Sequence, residues 1–237
     1  MEKQRIKEII IGITTLFIYF FVSVMEVFPF VLLHIDIDTF PTHLKVLYSL
    51  GCELLILAII LFLFKDLLKK DIKNMKQNYK YYFKDGLKYY FYGLGIMISS
   101  NFILLYLTGN IAGNEQTVRD ILQQHPIYMF ISAVLIAPLM EELLFRGAIR
   151  KIFKEKWIFI LISGFFFGFL HVMGTMDETA TNLENFYNFL YIIPYSSFGL
   201  VFAYMYEKYD NILVSTGFHF MHNFIALSLQ ILISIFL

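Results

Sequence analysis

Three short runs contain side chains whose types and spacing could carry acid–base chemistry. The first is Glu141-Glu142-Leu-Leu-Phe-Arg146, with apolar sequence on either side. The second is Phe167-Gly-Phe-Leu-His171 and the third His219-Phe-Met-His222-Asn223. On a helix, Glu142 and Arg146 are four residues apart and share a face, so they can form an ion pair. Glu141 is turned about 100° from that face and has no cation on its own helix. A carboxylate so placed is a candidate general base, and an imidazole within reach is a natural partner for activating water. His219 and Asn223 are also four apart, and His222 lies close to their shared face.

The elements that position these groups follow from composition. Of 237 residues, 58% are hydrophobic and 16% charged, with zero formal net charge and a mean hydropathy of +0.65. A soluble domain is nearer about 45–50% apolar and about 25% charged, so this chain has too little polar surface to coat a water-soluble globule. The 27 Phe and 16 Tyr exclude intrinsic disorder. The absence of net positive charge argues against nucleic acid as a partner. A single cysteine, Cys52, excludes an intramolecular disulfide and a cysteine-based metal site. What remains is an all-α, polytopic membrane helix bundle.

A bilayer-spanning helix needs roughly 20 mostly apolar residues. Seven stretches qualify: Ile9–Leu33, Val46–Phe64, Tyr89–Thr108, Pro126–Ile149, Ile158–Met173, Phe189–Tyr206 and Ile212–Leu237. The first is too long for a signal-peptide core and is read as a retained helix. With this alternation, 17 of the 19 basic residues fall on one side, including the run of lysines from Lys65 to Lys88. Lys45 and Arg119 fall on the other, beside Asp36, Asp38, Glu115, Asp120, Asp177, Glu178 and Glu184. The positive-inside rule then makes the N-terminus cytoplasmic and the C-terminus external. Residues 1–237 form one transmembrane domain, with the three runs inside 126–223. The Lys65–Lys88 segment is expected as a cytoplasmic loop or as a surface segment engaging anionic lipid headgroups.

Charged groups at the centre of a span cost about 2.5–3.5 kcal/mol each on insertion scales, which makes intramembrane Glu141, Glu142 and Arg146 functional candidates. Pro138 cannot donate to the carbonyl of Val134, so a bend and a free carbonyl are expected there. Glu141 and His171 are 30 apart, and a hairpin turning about residue 156 puts both roughly 20 Å from the turn. Gly164 and Gly168 form a small-xxx-small pair for close approach of a neighbouring helix. Glu26 and Glu53 lie in the outer parts of the first two spans, where they could face each other in a structural or gating role. No Ser-His-Asp arrangement, HExxH or nucleotide-binding signature is present.

The three runs resemble the motifs EExxxR, FxxxH and HxxxN of the CAAX prenyl endopeptidase and bacteriocin-processing (CPBP, or Abi) intramembrane proteases, in the same order on successive spans. The resemblance covers roughly 126–223. It implies a site within the membrane that opens to the cytoplasm, where Glu141 and His171 activate water for direct attack on a peptide carbonyl. His219 and Asn223 would then stabilise the oxyanion, while Glu142, Arg146 and Phe167 brace the site and His222 is an alternative to His219. No metal is favoured, although Glu141, His171 and His219 could together hold Zn²⁺ with an open position. The implied partners are a membrane-associated peptide or protein substrate and the bilayer, with no nucleic acid; the location is a bacterial plasma membrane, multi-pass. The competing readings are a non-enzymatic bacteriocin-immunity or scaffold protein and a small transporter with a proton-relay Glu. A transporter fits least, since no internal repeat is detectable.

Overall fold

A computed structural model describes residues 2–36, 39–174 and 181–236, except for the side chains of residues 22, 23, 25 and 234–236. Asp38, Asp177 and Glu178 of the expected outer face lie outside the described residues. The described residues contain no strand, and the chain folds as helices α1 (Glu2–Met25), α2 (Phe28–Leu32), α3 (Thr42–Leu63), α4 (Lys65–Thr108) and α5 (Gly113–Gln124). There follow α6 (Pro126–Ile152), α7 (Lys156–Met173), α8 (Asn182–Leu190), α9 (Ile192–Tyr209) and α10 (Ile212–Phe236). Among the described residues, six helices are long and apolar enough to cross a bilayer: α3, α4, α6, α7, the α8–α9 pair and α10. They match six of the seven expected stretches. The stretch expected at Ile9–Leu33 is divided between α1 and the five-residue α2.

The basic segments gather at one end. Arg5 of α1 donates to the carbonyl of Ile152 at 2.6 Å, Lys154 pairs with Glu8 at 2.9 Å, and Arg150 pairs with Glu207 at 3.0 Å. The third span extends beyond its expected bounds. α4 runs unbroken for 44 residues, about 66 Å, or twice the hydrocarbon thickness. Its lysine-rich half is thus neither a loop nor a separate surface segment but an extension of the span across the basic end. It contains no proline and meets no break until Gly109, whose φ of 72° ends the helix. Asp71, fully buried on this extension, accepts from the backbone N–H of Ile212 at 2.8 Å. A carboxylate from α4 thus caps the first turn of α10, the helix that carries His219 and Asn223.

α7 and α9 form the closest pair. A Cβ on Gly199 would overlap the backbone carbonyl of Gly164, and one on Gly168 would meet Ser196. The small-residue pair therefore admits α9, as its spacing requires. Around this seam Phe145, Phe159, Leu143, Leu144, Ile149 and Ile212 are at most 2% exposed, and they form a tight plug on the basic side of Glu141.

Candidate active site

α6 departs from regular α geometry on either side of the Glu141–Glu142 pair. Residues Ile131–Ile136 and Leu143–Ala148 are wound as π-helix, a form that recurs at functional sites. In the first of these, the N–H of Ala137 bonds to the carbonyl of Ser132, five residues back. The next carbonyl in that register, Ala133, falls to Pro138, which has no N–H. Asn223 of α10 supplies the missing donor at 2.8 Å. The free carbonyl is therefore that of Ala133, not Val134, because the turn is one residue wider than the α-helix assumed from sequence. This contact ties α10 to α6 one turn beyond His219.

The expected ion pair is present. Arg146 and Glu142 meet at 3.1 Å with both side chains fully buried. Arg146 also donates to the carbonyl of Gly199 at 3.0 Å, which the close α7–α9 seam brings within reach. The guanidinium lies 4.9 Å from the ring of Phe167, 5.6 Å from Phe202 and 5.7 Å from Phe145. This aromatic surround accounts for the phenylalanine of the second motif: its π-face offsets part of the cost of a buried cation. Glu142 is shared, since its Oε1 also accepts from His219 Nδ1 at 3.1 Å.

The hairpin of α6 and α7 turns tighter than expected. Ser163 donates to the carbonyl of Phe145 at 2.8 Å, so pairing centres near residue 154 rather than 156. The level of Glu141 is then faced by Phe167, and His171 lies one turn farther from the basic end. The imidazole nearest Glu141 is that of His219, whose Nε2 is 3.8 Å from Glu141 Oε2. The ring of Phe167 is 4.3 Å from that of His171 and 5.7 Å from that of His219. His171 Nδ1 donates to the carbonyl of Phe167 at 2.8 Å, leaving Nε2 as the acceptor nitrogen. Tyr195 stacks on His171 at 4.9 Å, a positioning contact that no motif spacing signals. His222 is held against Phe198 at 4.2 Å between rings and lies 3.4 Å from the hydroxyl of Tyr90.

Glu141, Phe167, His171, His219, His222 and Asn223 line one cavity of about 380 Å³. Glu141 Oε2 is buried there without a hydrogen-bond partner. The cavity extends from Glu141 to Asn114, Glu115, Val118 and Arg119 of α5, at the end remote from the lysines. The buried residues around Arg146 pack on the side of Glu141 nearer the lysines. Among the described residues, no three His, Cys, Asp or Glu side chains close on a common point as a metal site would require. His219 Nδ1 is committed to Glu142, and the Phe167 ring contacts the rings of both His171 and His219. The hydrogen bonds of these rings engage Nδ1 of His171 and of His219 and leave the Nε2 of each ring free. Glu26 and Glu53 do not pair. Glu53 accepts from Tyr128 at 2.8 Å and Ser132 at 2.9 Å, and Glu26 from Ser49 at 2.5 Å.

Residues 123–225, which contain all three motifs, match the model of the family described as type II CAAX prenyl endopeptidase Rce1-like. Over these residues, fewer than half of the chain, it is similar to that family. It is also 25% identical over 208 residues, 80% of this chain and 73% of the other, to the Bacillus subtilis (strain 168) protein named "Putative membrane peptidase YdiL". No solved structure matches the chain. With six helices able to span a bilayer, it is a multi-pass membrane protein whose similarities are to membrane peptidases. Within the matched segment, Asn223→Ala is expected to leave the Ala133 carbonyl unpartnered, at a cost of about 1–3 kcal/mol. A lower thermal-unfolding midpoint of the purified protein in detergent, relative to wild type, is the check.

Proposed function

We propose that the protein is a glutamate-type intramembrane endopeptidase of a bacterial plasma membrane, hydrolysing a peptide bond of a membrane-associated peptide or protein. The observation that carries the reading is the shared cavity, lined by Glu141 with its unpartnered oxygen, by His171 and by Asn223. Two acceptors, Glu141 Oε2 and His171 Nε2, suit a water molecule, which offers two hydrogens. Glu141 takes one proton as the water oxygen bonds to the scissile carbonyl carbon. His219 Nε2, 3.8 Å away, is close enough to relay that proton to the leaving nitrogen after a small movement. Asn223 keeps one amide hydrogen after bonding Ala133, and this hydrogen serves the developing oxyanion. Glu142 holds His219 in register through Nδ1, and Arg146 holds Glu142.

The name Rce1-like makes prenylated C-terminal peptides one candidate substrate class; bacteriocin leaders and secreted signalling peptides are others. Comparative peptidomics of cells carrying the wild-type protein or Glu141→Gln tests activity and reveals the substrate. A peptide that accumulates uncleaved only in the variant supports the reading, and identical peptide profiles would sink it. Processing by wild-type membranes is expected to persist under chelation; loss on chelation with recovery on adding zinc would overturn the metal-free assignment.

A further inference from the structure

We infer that a second, apolar recess, between the lysine-rich half of α4 and the start of α10, binds an anionic phospholipid of the surrounding bilayer. One acyl chain lies in the recess, and the phosphate rests against Lys76, Lys80 and Lys84. Such a site is independent of the protease reading.

α4 and α10 run side by side from the basic end and touch at two levels. Asp71 accepts from the N–H of Ile212, and a Cβ on Gly86 would overlap the ring of Phe218. Between these levels they stand apart. Met75, Tyr79 and Phe83 of α4 and Leu213, Gly217 and Met221 of α10 line a space of about 380 Å³, within the range of roughly 300–1,000 Å³ found for small-molecule sites. Both triplets repeat every four residues, so each forms one ridge along its helix. A Cβ on Gly217 would meet no atom within 4 Å, which makes this glycine an open floor. Tyr79 and Phe83 are 55% and 54% exposed, so the recess is open to the flank of the bundle. None of its lining residues lines the motif cavity. Phe218 at its end stacks on Tyr90, and Tyr90 in turn meets His222 of that cavity, so two aromatic rings stand between the sites.

The lining selects for hydrocarbon. It contains no charged or amide side chain, and the hydroxyl of Tyr82 is taken by Asn74 at 3.1 Å, so a peptide backbone would go largely unpaired there. An acyl chain needs no partner. Charge supplies the other half of the match. Lys76, Lys80 and Lys84 each follow a lining residue of α4 by one position, about 100° round the helix, and form an exposed ridge along one edge of the recess. Elsewhere at the basic end cations are matched: Lys88 pairs with Asp85 at 2.9 Å, Arg150 with Glu207 at 3.0 Å and Lys154 with Glu8 at 2.9 Å. Lys76, Lys80 and Lys84 pair with no carboxylate among the described residues, and the Lys80 ammonium lies 5.9 Å from the ring of Tyr79 at the mouth. Unmatched cations beside an apolar recess complement a molecule with a hydrocarbon tail and an anionic head. A phospholipid at the flank of the bundle carries both.

Native mass spectrometry of the full-length protein in detergent tests this, with phosphatidylglycerol and phosphatidylcholine of identical acyl chains as probes. Wild type is expected to bind one phosphatidylglycerol about tenfold or more tighter than phosphatidylcholine. Gly217→Leu, whose side chain enters the recess, is expected to weaken binding of both lipids by a similar factor. Lys76→Gln, Lys80→Gln and Lys84→Gln combined should bring phosphatidylglycerol down to the affinity of phosphatidylcholine and leave the latter unchanged. All three lysines are exposed, so this variant keeps the fold and decides the outcome if Gly217→Leu does not accumulate. Equal affinity of wild type for the two lipids, or a preference that survives the triple substitution, would overturn the site. So would undiminished binding by a folded Gly217→Leu. A dimer in place of the lipid adduct, lost in Gly217→Leu, would assign the recess to a second copy of the chain and overturn it too. Lipid binding requires no turnover, so a chain that binds lipid and cleaves nothing would count against the protease reading alone.

Discussion

Replacing Glu141 by Gln is expected to abolish processing while the protein remains abundant in the membrane. The substitution keeps the shape and a hydrogen-bonding oxygen but removes the group that accepts a proton. The cost should be at least the rate contribution of a positioned base, about 10²–10⁴-fold. Stability should change little, because Glu141 Oε2 has no hydrogen-bond partner to lose and its neighbour His219 is held independently by Glu142 at 3.1 Å. The measurement is the initial rate of substrate cleavage in membranes normalised to protein amount by immunoblot. A variant that cleaves normally would remove Glu141 from the mechanism. A variant lost from the membrane would show that the carboxylate is structural.

Arg146→Ala is expected to have the opposite signature, with the protein itself depleted. Glu142 would be left as an uncompensated charge in a region with no measurable exposure, and breaking a buried pair costs about 3–5 kcal/mol. That is a large part of the roughly 5–15 kcal/mol by which folded domains are stable. Glu142→Gln combined with Arg146→Met should recover abundance. It leaves no buried charge, retains an acceptor for His219 Nδ1 and fills the space among Phe145, Phe167 and Phe202 with a flexible apolar chain. Quantitative immunoblotting of membranes after synthesis is stopped would show it. If the double variant is depleted as fully as Arg146→Ala, the pair does more than neutralise itself, and its contact with the Gly199 carbonyl becomes the essential one.

Several features could be read from the chain because they depend only on local geometry. Hydropathy marked seven stretches, six of which coincide with helices able to span a bilayer, since a segment must carry its own apolar length whatever its neighbours are. The Glu142–Arg146 pair follows from four-residue spacing, and Gly164 and Gly168 identified the face where another helix comes close. Each of the three motifs supplied at least one residue of the cavity lining. The continuity of α4 was not visible, because its lysines mark the edge of hydrocarbon and say nothing about where a helix ends.

What the tertiary structure decided is which side chain meets which. Counting along the chain aligned Glu141 with His171, whereas the tighter turn centred near residue 154 sets Phe167 at that level and leaves His219 as the nearest imidazole. The choice of His219 over His222 is a matter of rotation about α10. That rotation is held by the Asp71 cap, the bond of Asn223 to Ala133 and the packing of Phe218 on α4. The course of the cavity depends on where helices part, a sum over packing contacts among residues far apart in sequence. Spacing along one helix is set by the covalent chain at 1.5 Å and 100° per residue. Depth and rotation between helices are set by side-chain volumes across an interface, and no single segment contains both halves of it.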